Sequence, residues 1–423
     1  MNDTIYALSS GSPPAAIAVV RISGPEANAA LERLAGVLPE PRIVRLAALQ
    51  HRDELLDNAL IIRFPGPRSA TGEDVAELHL HGGRSVVAAV LAALGGMEGL
   101  REARPGEFTR RAFENGRIDL AEAEGLADLL AAETHSQRRA ALALAGGALS
   151  RQVEAWQAGL LGIAASVEAE LDFDDEADVG SVRTAYRNAL RDLIGDLQRW
   201  LAWPTAERLR DGLRVVIAGP PNAGKSTLLN ALAGREAAIT SAIAGTTRDL
   251  VEAPTAIGGL PLLLVDTAGL REGGDAIEAI GVERARASLA AADLVLWLGV
   301  PDDAPEPGRT ILVHPKLDIV APDGRADVAV SARTGAGLDA LVDLLVTRSS
   351  ALLPAEGEVA INARHRAALS AALDWLVEAE GADDPLIVAE ALRQARAALD
   401  RITGRAGVED MLDALFGRFC IGK

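Results

Sequence analysis

One stretch concentrates the residues that can handle phosphate. Gly219-Pro-Pro-Asn-Ala-Gly224-Lys225-Ser226 has the spacing G-x-x-x-x-G-K-[ST]. Glycines let backbone N–H groups close around an anion, and the N-terminus of a following helix adds partial positive charge. Lys225 can reach β- and γ-phosphates, and the Ser226 hydroxyl can ligate Mg²⁺. Such a loop needs a strand before it and a helix after it. The apolar run Val215 to Ala218 reads as a buried parallel strand, and Ser226 to Leu232 reads as a helix.

Four later segments extend this chemistry. Gly245-Thr246-Thr247-Arg248-Asp249 follows an irregular polar segment, and a Thr there can close over Mg²⁺ and the γ-phosphate. The apolar run Leu262 to Val265 ends in Asp266-Thr267-Ala268-Gly269. An Asp at that strand end can hold Mg²⁺ through water, and the Gly269 N–H can meet the γ-phosphate. Thr310 to Val313 leads to His314-Pro315-Lys316-Leu317-Asp318, which resembles the guanine-reading N-K-x-D with Pro315 in the asparagine position. Asp318 can accept from the guanine N1–H and 2-amino group, which adenine lacks, while the Lys316 stem covers the base. Pro315 loses the side-chain amide that normally supports this loop. Ser331-Ala332-Arg333 stands where GTPases carry a base-contacting S-A-K.

The segments follow the order of a Ras-like GTPase. Resemblance to known GTPases of this type implies the GTP-binding set Asn222, Ala223, Gly224, Lys225, Ser226, Thr227, Ser241, Thr246, Thr247, Asp266, Thr267, Ala268, Gly269, Lys316, Asp318, Ser331, Ala332 and Arg333. Ras-type enzymes orient the attacking water with a Gln after D-x-x-G. Leu270 occupies that position and cannot do so; nearby carboxylates are Glu272, Asp275 and Glu278.

Composition limits the alternatives. A chain of 423 residues with 49% hydrophobic content predicts two or three domains with substantial cores. One cysteine, Cys420, excludes internal disulfides and fits a reducing compartment. No apolar run reaches transmembrane length, and Met1-Asn-Asp-Thr lacks the basic start of a signal peptide, so a cytoplasmic location is expected. A net charge of −18 opposes binding a nucleic-acid backbone by bulk electrostatics. Contact with RNA then requires a local patch or a partner. Only three lysines occur, Lys225, Lys316 and Lys423, and two of them fall in nucleotide motifs. Charge alone gives Lys423 no role beyond that of a tail residue.

Ahead of the nucleotide motifs, Ile17–Ile22, Ala59–Arg63 and Ala76–His81 read as strands, with a helix over Arg84–Leu94, giving a compact α+β unit. Glu77, His79 and His81 share one face of their strand. Their spacing along it is too wide for easy chelation, so a polar wall is the expectation rather than a metal site. Arg21 and Arg117 can bind an anion or serve as ordinary surface arginines. From Leu120 to Leu171 and from Tyr186 to Trp203 the periodicity is helical, with a break at Gly146-Gly147. Two more helices, His365 to Glu380 and Pro385 to Ile402, follow the nucleotide region. Pairing them with the earlier helices makes the nucleotide domain an insertion in a helical domain.

Thr71-Gly-Glu-Asp74 with His81-Gly-Gly83, Arg104-Pro-Gly-Glu-Phe-Thr109, Asp119-Leu-Ala-Glu-Ala-Glu124, the phosphate loop, Gly245-Thr-Thr-Arg-Asp249 and the terminal Cys420-Ile-Gly-Lys423 occur together and in order. Over essentially its whole length the chain resembles the MnmE/TrmE-type tRNA modification GTPases. The resemblance implies an α+β tetrahydrofolate-binding and dimerisation domain at 1–118, a helical domain in two parts at 119–211 and 355–423, and a Ras-like P-loop G domain inserted at 212–354. It implies a 5-formyltetrahydrofolate-type ligand held by Arg21, Glu77, Arg117 and Lys423; Arg117 stands where some members have Lys. It implies a homodimer that joins a flavin-dependent partner in a heterotetramer. That assembly adds an aminomethyl or carboxymethylaminomethyl group to C5 of the wobble uridine of certain tRNAs. Of the carboxylates after Leu270 it selects Glu278, acting through a bridging water. It implies a K⁺ ion held by Asn222, Ser241, Ile243 and Thr246 in place of an arginine finger, and Mg²⁺ held by Ser226 and Thr247. Cys420 lies beside the folate pocket in this pattern, either as a nucleophile or as a small packed residue. A ribosome-associated regulatory GTPase would share the phosphate loop and Asn222, but not the folate residues or the terminal Cys-Ile-Gly-Lys.

Overall fold

A computed structural model describes residues 3–172, 179–234, 252–267, 283, 286–322, 324–355, 358–405, 409–417 and 419–422. The chain divides into two compact units, one formed by Met1–Ala127 with Asp400–Lys423 and the other by Asp128–Leu399.

The first unit is built on a six-stranded sheet. Its elements are β1 (Thr4–Leu8), β2 (Ile17–Ser23), α1 (Ala27–Ala35), β3 (Arg45–His51), β4 (Glu54–Phe64), β5 (Val75–His81), α2 (Arg84–Gly95), β6 (Leu100–Glu102), α3 (Glu107–Glu114) and the start of α4 (Leu120–Ala131). Strand order is β3-β4-β5-β2-β1-β6. All pairs are antiparallel except β1 with β6. Alternation decides which face is covered. Ala18, Val20 and Ile22 on β2, Ala59 and Ile61 on β4, and Leu78 and Leu80 on β5 pack with Leu31, Leu34, Val87 and Leu94 of α1 and α2. Arg21, Glu77 and His79 therefore lie on the opposite face. The helix Glu409–Phe416 folds with this unit: Leu412, Phe416 and Phe419 bury against Leu120 and Ala123 of α4. Arg111 of α3 is only 2% exposed. It is matched by Glu73 at 3.0 Å, Asp3 at 3.0 Å and Glu107 at 3.4 Å, as a desolvated guanidinium requires.

The second unit contains α5 (His135–Ala145), α6 (Ala148–Asp172), α7 (Val179–Ala202), α8 (Ala206–Asp211), β7 (Leu213–Ala218), α9 (Lys225–Ala233), β8 (Glu252–Ile257), β9 (Leu260–Asp266), β10 (Leu294–Trp297), β11 (Thr310–His314) and β12 (Val328–Ala329). The helices Leu338–Ser350 and Ala363–Gly381 and most of Pro385–Thr403 complete it. On α6 the buried residues Leu149, Val153, Trp156, Leu160, Ile163 and Val167 recur at four and three, the spacing of a packed helical seam. Trp156 meets Trp200 of α7 edge-on, centroids 5.2 Å apart, and its Nε1–H donates to Asp196 at 2.7 Å. Helix Ala363–Gly381 packs on α7.

The second sheet has the order β12-β11-β10-β7-β9-β8, parallel except for the β8–β9 pair. Val215, Val216 and Ile217 are fully buried. Val215 and Ile217 join one apolar core with Leu228 and Leu232 of α9, and Val216 joins another with Val265 and Val295. A strand covered on both faces has to read as a continuous apolar run, and β7 does. Thr205 bridges Ile361, so the chain enters and leaves this region side by side. The β8–β9 turn uses Gly258 and Gly259 at φ 58° and 77°, the left-handed pair a two-residue hairpin needs. A Cβ on Gly258 would come within 2.6 Å of Val346. At the tip, the Ser136 hydroxyl of α5 donates to the Gly259 carbonyl at 3.0 Å.

Candidate nucleotide site and a second polar site

The phosphate loop, Asp266 and the base loop meet at the C-terminal ends of the parallel strands, where α/β sheets place their ligands. β7 and β9 pair with Ile217 opposite Asp266, so the phosphate loop and the acidic strand end emerge side by side. The Ser226 hydroxyl donates directly to the Asp266 carboxylate. Two hard oxygen donors in contact suit Mg²⁺, and Asp266 is only 4% exposed. Lys225 is 5% exposed, and its ammonium donates to the loop's own carbonyls at Gly219 (3.1 Å) and Pro220 (2.9 Å). Thr267 anchors the strand end through its hydroxyl to the Ile217 carbonyl at 3.0 Å.

Asn222 takes φ 59°, a left-handed conformation that Asn tolerates better than most residues. Its carbonyl accepts from Lys316 Nζ at 2.7 Å, tying the phosphate loop to the base loop. A cleft of about 230 Å³ opens between them. Its lining includes Ala223, Gly224, Thr227, Lys316, Asp318, Ser331, Ala332 and Arg333 from the expected set. Leu298, Ile319 and Val330 also line it; as generic apolar positions they carried no motif in the sequence. They supply flat apolar walls suited to a base. The Ser331 hydroxyl donates to Asp318 Oδ1 at 2.7 Å. That bond holds the Asp318 carboxyl below the usual carboxylate range, with the charges of Arg333 and Lys316 adding to the effect. Asp318 thus stays an acceptor, the state needed to read guanine N–H groups. Ser241, Ile243, Thr246, Thr247, Ala268, Gly269, Leu270, Glu272, Asp275 and Glu278 lie outside the described residues.

In the first unit, register explains a second polar site. Arg21 on β2 sits opposite Glu77 on β5. Arg21 Nε and Nη2 reach Glu77 Oε1 at 3.0 and 2.9 Å, and His79 Nε2 lies 3.3 Å from Glu77 Oε2. The Arg21 guanidinium stands 5.8 Å from the centre of the Phe108 ring. His81 instead pairs with Asp57 at 2.7 Å, and among the described residues no cluster of three metal-ligating side chains occurs. Arg117 donates to the Ser69 carbonyl at 3.2 Å. The tail reaches this unit too: Ser9 donates to the Gly422 carbonyl at 2.8 Å, and a Cβ on Gly422 would lie 2.1 Å from the Leu8 carbonyl oxygen. Cys420 is exposed, and Lys423 lies outside the described residues.

Comparison with known proteins bears on this geometry. Residues 4–117 match the family model of the GTP-binding protein TrmE N-terminus, and residues 120–420 match that of the MnmE helical domain. The tRNA modification GTPase MnmE of Rhizorhabdus wittichii is 61% identical over the whole chain and 97% of the relative. The chain belongs to the MnmE family of tRNA modification GTPases. The MnmE of Erythrobacter litoralis is 56% identical with full coverage of both chains, and that of Novosphingobium aromaticivorans is 55% identical with the same coverage. The TrmE match spans the sheet that carries the Arg21–Glu77 pair. The MnmE helical match runs through the nucleotide cleft, consistent with the adjacent entry and exit at Thr205 and Ile361. No helix among the described residues is long and apolar enough to cross a membrane.

Proposed function

We propose that this chain is a GTP-hydrolysing tRNA modification enzyme that works with a flavin-dependent partner. The pair adds an aminomethyl or carboxymethylaminomethyl group to C5 of the wobble uridine of certain tRNAs. The observation that carries the reading is the joining of the phosphate loop, Asp266 and Asp318 at one edge of one sheet in an MnmE-family chain.

In this reading Lys225 draws charge from the β- and γ-phosphates, while Ser226 and Thr247 would hold Mg²⁺, with Asp266 able to contribute through water. Asp318 reads guanine and Lys316 covers it. Glu278 orients the attacking water through a second water, since Leu270 has no hydrogen-bonding group. Asn222, Ser241, Ile243 and Thr246 would hold K⁺, which would supply the positive charge that an arginine finger otherwise provides. Arg21, Glu77, Arg117 and Lys423 bind a 5-formyltetrahydrofolate-type ligand. The Arg21–Glu77 pair supports this, because a guanidinium and a carboxylate side by side suit glutamate carboxylates and a pterin N–H edge. When bound, the folate supplies the one-carbon unit. Cys420 is exposed beside Gly106, which suits a nucleophile better than a small packed residue. Domain limits follow the family plan: 1–118 for folate binding and dimerisation, 119–211 and 355–423 helical, 212–354 the G domain. The assembly is a homodimer joined by its partner into a heterotetramer, in the cytoplasm.

Mass spectrometry of wobble uridines tests the proposal. Cells lacking the protein should lose the C5 modification, regain it with the wild-type chain and fail to regain it with Lys225→Ala. An unchanged profile in the deletion would remove the reading.

A further inference from the structure

The base loop carries proline where its motif calls for asparagine, so the structure must hold Asp318 by other means. Most of the bonds at the loop come from the backbone. Val330 donates to the His314 carbonyl at 2.8 Å, and Leu317 donates to the Val330 carbonyl at 3.0 Å. Ile319 and Val320 both donate to the Lys316 carbonyl, at 2.9 and 3.0 Å, which closes a single turn with Asp318 at its middle. Lys316 enters that turn at φ 59°, a conformation that costs a non-glycine residue about 1 kcal/mol and persists only under external constraint. Lys316 Nζ supplies one constraint through Asn222.

Another, in addition to the Ser331 hydroxyl that donates to Asp318, comes from His314. Its Nε2 lies 3.2 Å from the carbonyl oxygen of Val320. A carbonyl only accepts, so Nε2 carries the proton and donates. The imidazole thus links the last residue of β11 to the last residue of the turn, across the segment that presents Asp318. Pro315 contributes by fixing its own φ at the entry. Neither residue has a nucleotide role in the sequence motif.

We propose that His314 is a positioning residue for guanine recognition: its Nε2–H···O bond to Val320, with Pro315 restricting the entry, replaces the missing asparagine amide. The inference rests on Asp318 reading guanine. Its reach is selectivity rather than chemistry, because the bond acts on the base loop and not on the phosphate loop.

The test uses the full-length chain and steady-state GTP and ATP hydrolysis, with thermal melting as a control. His314→Ala should raise KM for GTP about three- to tenfold, the effect of one neutral hydrogen bond, with kcat within about twofold of wild type. The preference for GTP over ATP should fall by the same factor. His314→Gln keeps a donor and should retain at least half of the preference. In the double variant His314→Ala/Pro315→Asn the restored amide should bring KM back towards wild type. An unchanged KM in His314→Ala overturns the proposal. So does a parallel loss of kcat and melting temperature that Pro315→Asn leaves unrescued, since that pattern marks a general structural role. If Asp318→Asn fails to shift preference towards xanthosine triphosphate, the guanine reading itself falls. If it does shift and His314→Ala is silent, only the present inference falls.

Discussion

The nucleotide cleft and the Arg21–Glu77 site are built in opposite ways. The cleft stands at the edge of a parallel sheet, and its groups come from loops in which neighbours in sequence are neighbours in space. Asn222 to Thr227 and Lys316 to Asp318 are short runs, and a good part of their geometry is backbone. The second site stands on the face of an antiparallel sheet opposite α1 and α2, beside Phe108 of α3. Arg21 and Glu77 meet only because β2 and β5 pair in one register, and a slip of one residue in either strand would turn that strand's side chain to the helix-covered face. A loop site tolerates change in its surroundings, whereas a sheet-face site depends on the whole sheet.

The sharpest test of this contrast asks whether each site fails by itself. Glu278→Ala should lower GTP turnover by about a thousandfold and leave GTP affinity near wild type, as expected when a group acts on the water and not on binding. Stopped-flow nucleotide binding beside steady-state turnover separates the two; persistent turnover would mean another group orients the water. Replacing K⁺ by Na⁺ should suppress turnover comparably, and equal rates in KCl and NaCl would remove Asn222 as an ion ligand. Arg111→Leu should destabilise the first unit by about 3 kcal/mol, because Glu73 loses its arginine and Asp3 and Glu107 keep only Arg101. Its GTP turnover should stay within twofold of wild type. Coupled loss of turnover below the melting temperature would break the claim that the cleft is self-contained.

Smaller effects probe recognition. Asp318→Asn should weaken GTP about tenfold or more and favour xanthosine triphosphate, read by competition against a fluorescent nucleotide. Glu77→Gln should reduce tetrahydrofolate binding about tenfold by isothermal titration, with GTP binding unchanged. The smallest effect is one of pH. Burial pushes the Glu107 carboxyl up, but hydrogen bonds from Arg101 and the Arg104 N–H outweigh it and hold the group below its usual range. A depressed carboxylate stabilises the fold above its unfolded pKa, near 4, and that contribution is lost as pH falls through the folded value. Melting of the first unit should therefore drop more steeply below about pH 4 than in Arg101→Gln.

What the sequence disclosed follows the same division. The nucleotide strands and helices were legible because β7, β10 and β11 are doubly buried apolar runs and the motifs between them are contiguous. Ile17–Ile22, Ala76–His81 and the helix over Arg84–Leu94 matched β2, β5 and α2 to within a residue or two. β1, β3 and β6 were not legible: β6 has three residues, and β3 is an edge strand whose exposed Leu46 blurs the alternation. The Arg111 cluster gathers residues 3, 73, 107 and 111, a grouping that only the tertiary fold creates. The His314–Val320 bond was hidden for another reason: it departs from the motif that directed attention to the loop.

Lys225 gives the phosphate loop a further property. Its ammonium already donates to the carbonyls of Gly219 and Pro220. Phosphate arriving at this lysine therefore meets a cation already held in place by two neutral oxygens. Little side-chain entropy remains to be lost when the anion arrives, so the loop should gain less in order than in charge neutralisation. Substituting Lys225 would then remove an internal brace as well as a ligand contact, and the shape of the loop would change along with its affinity.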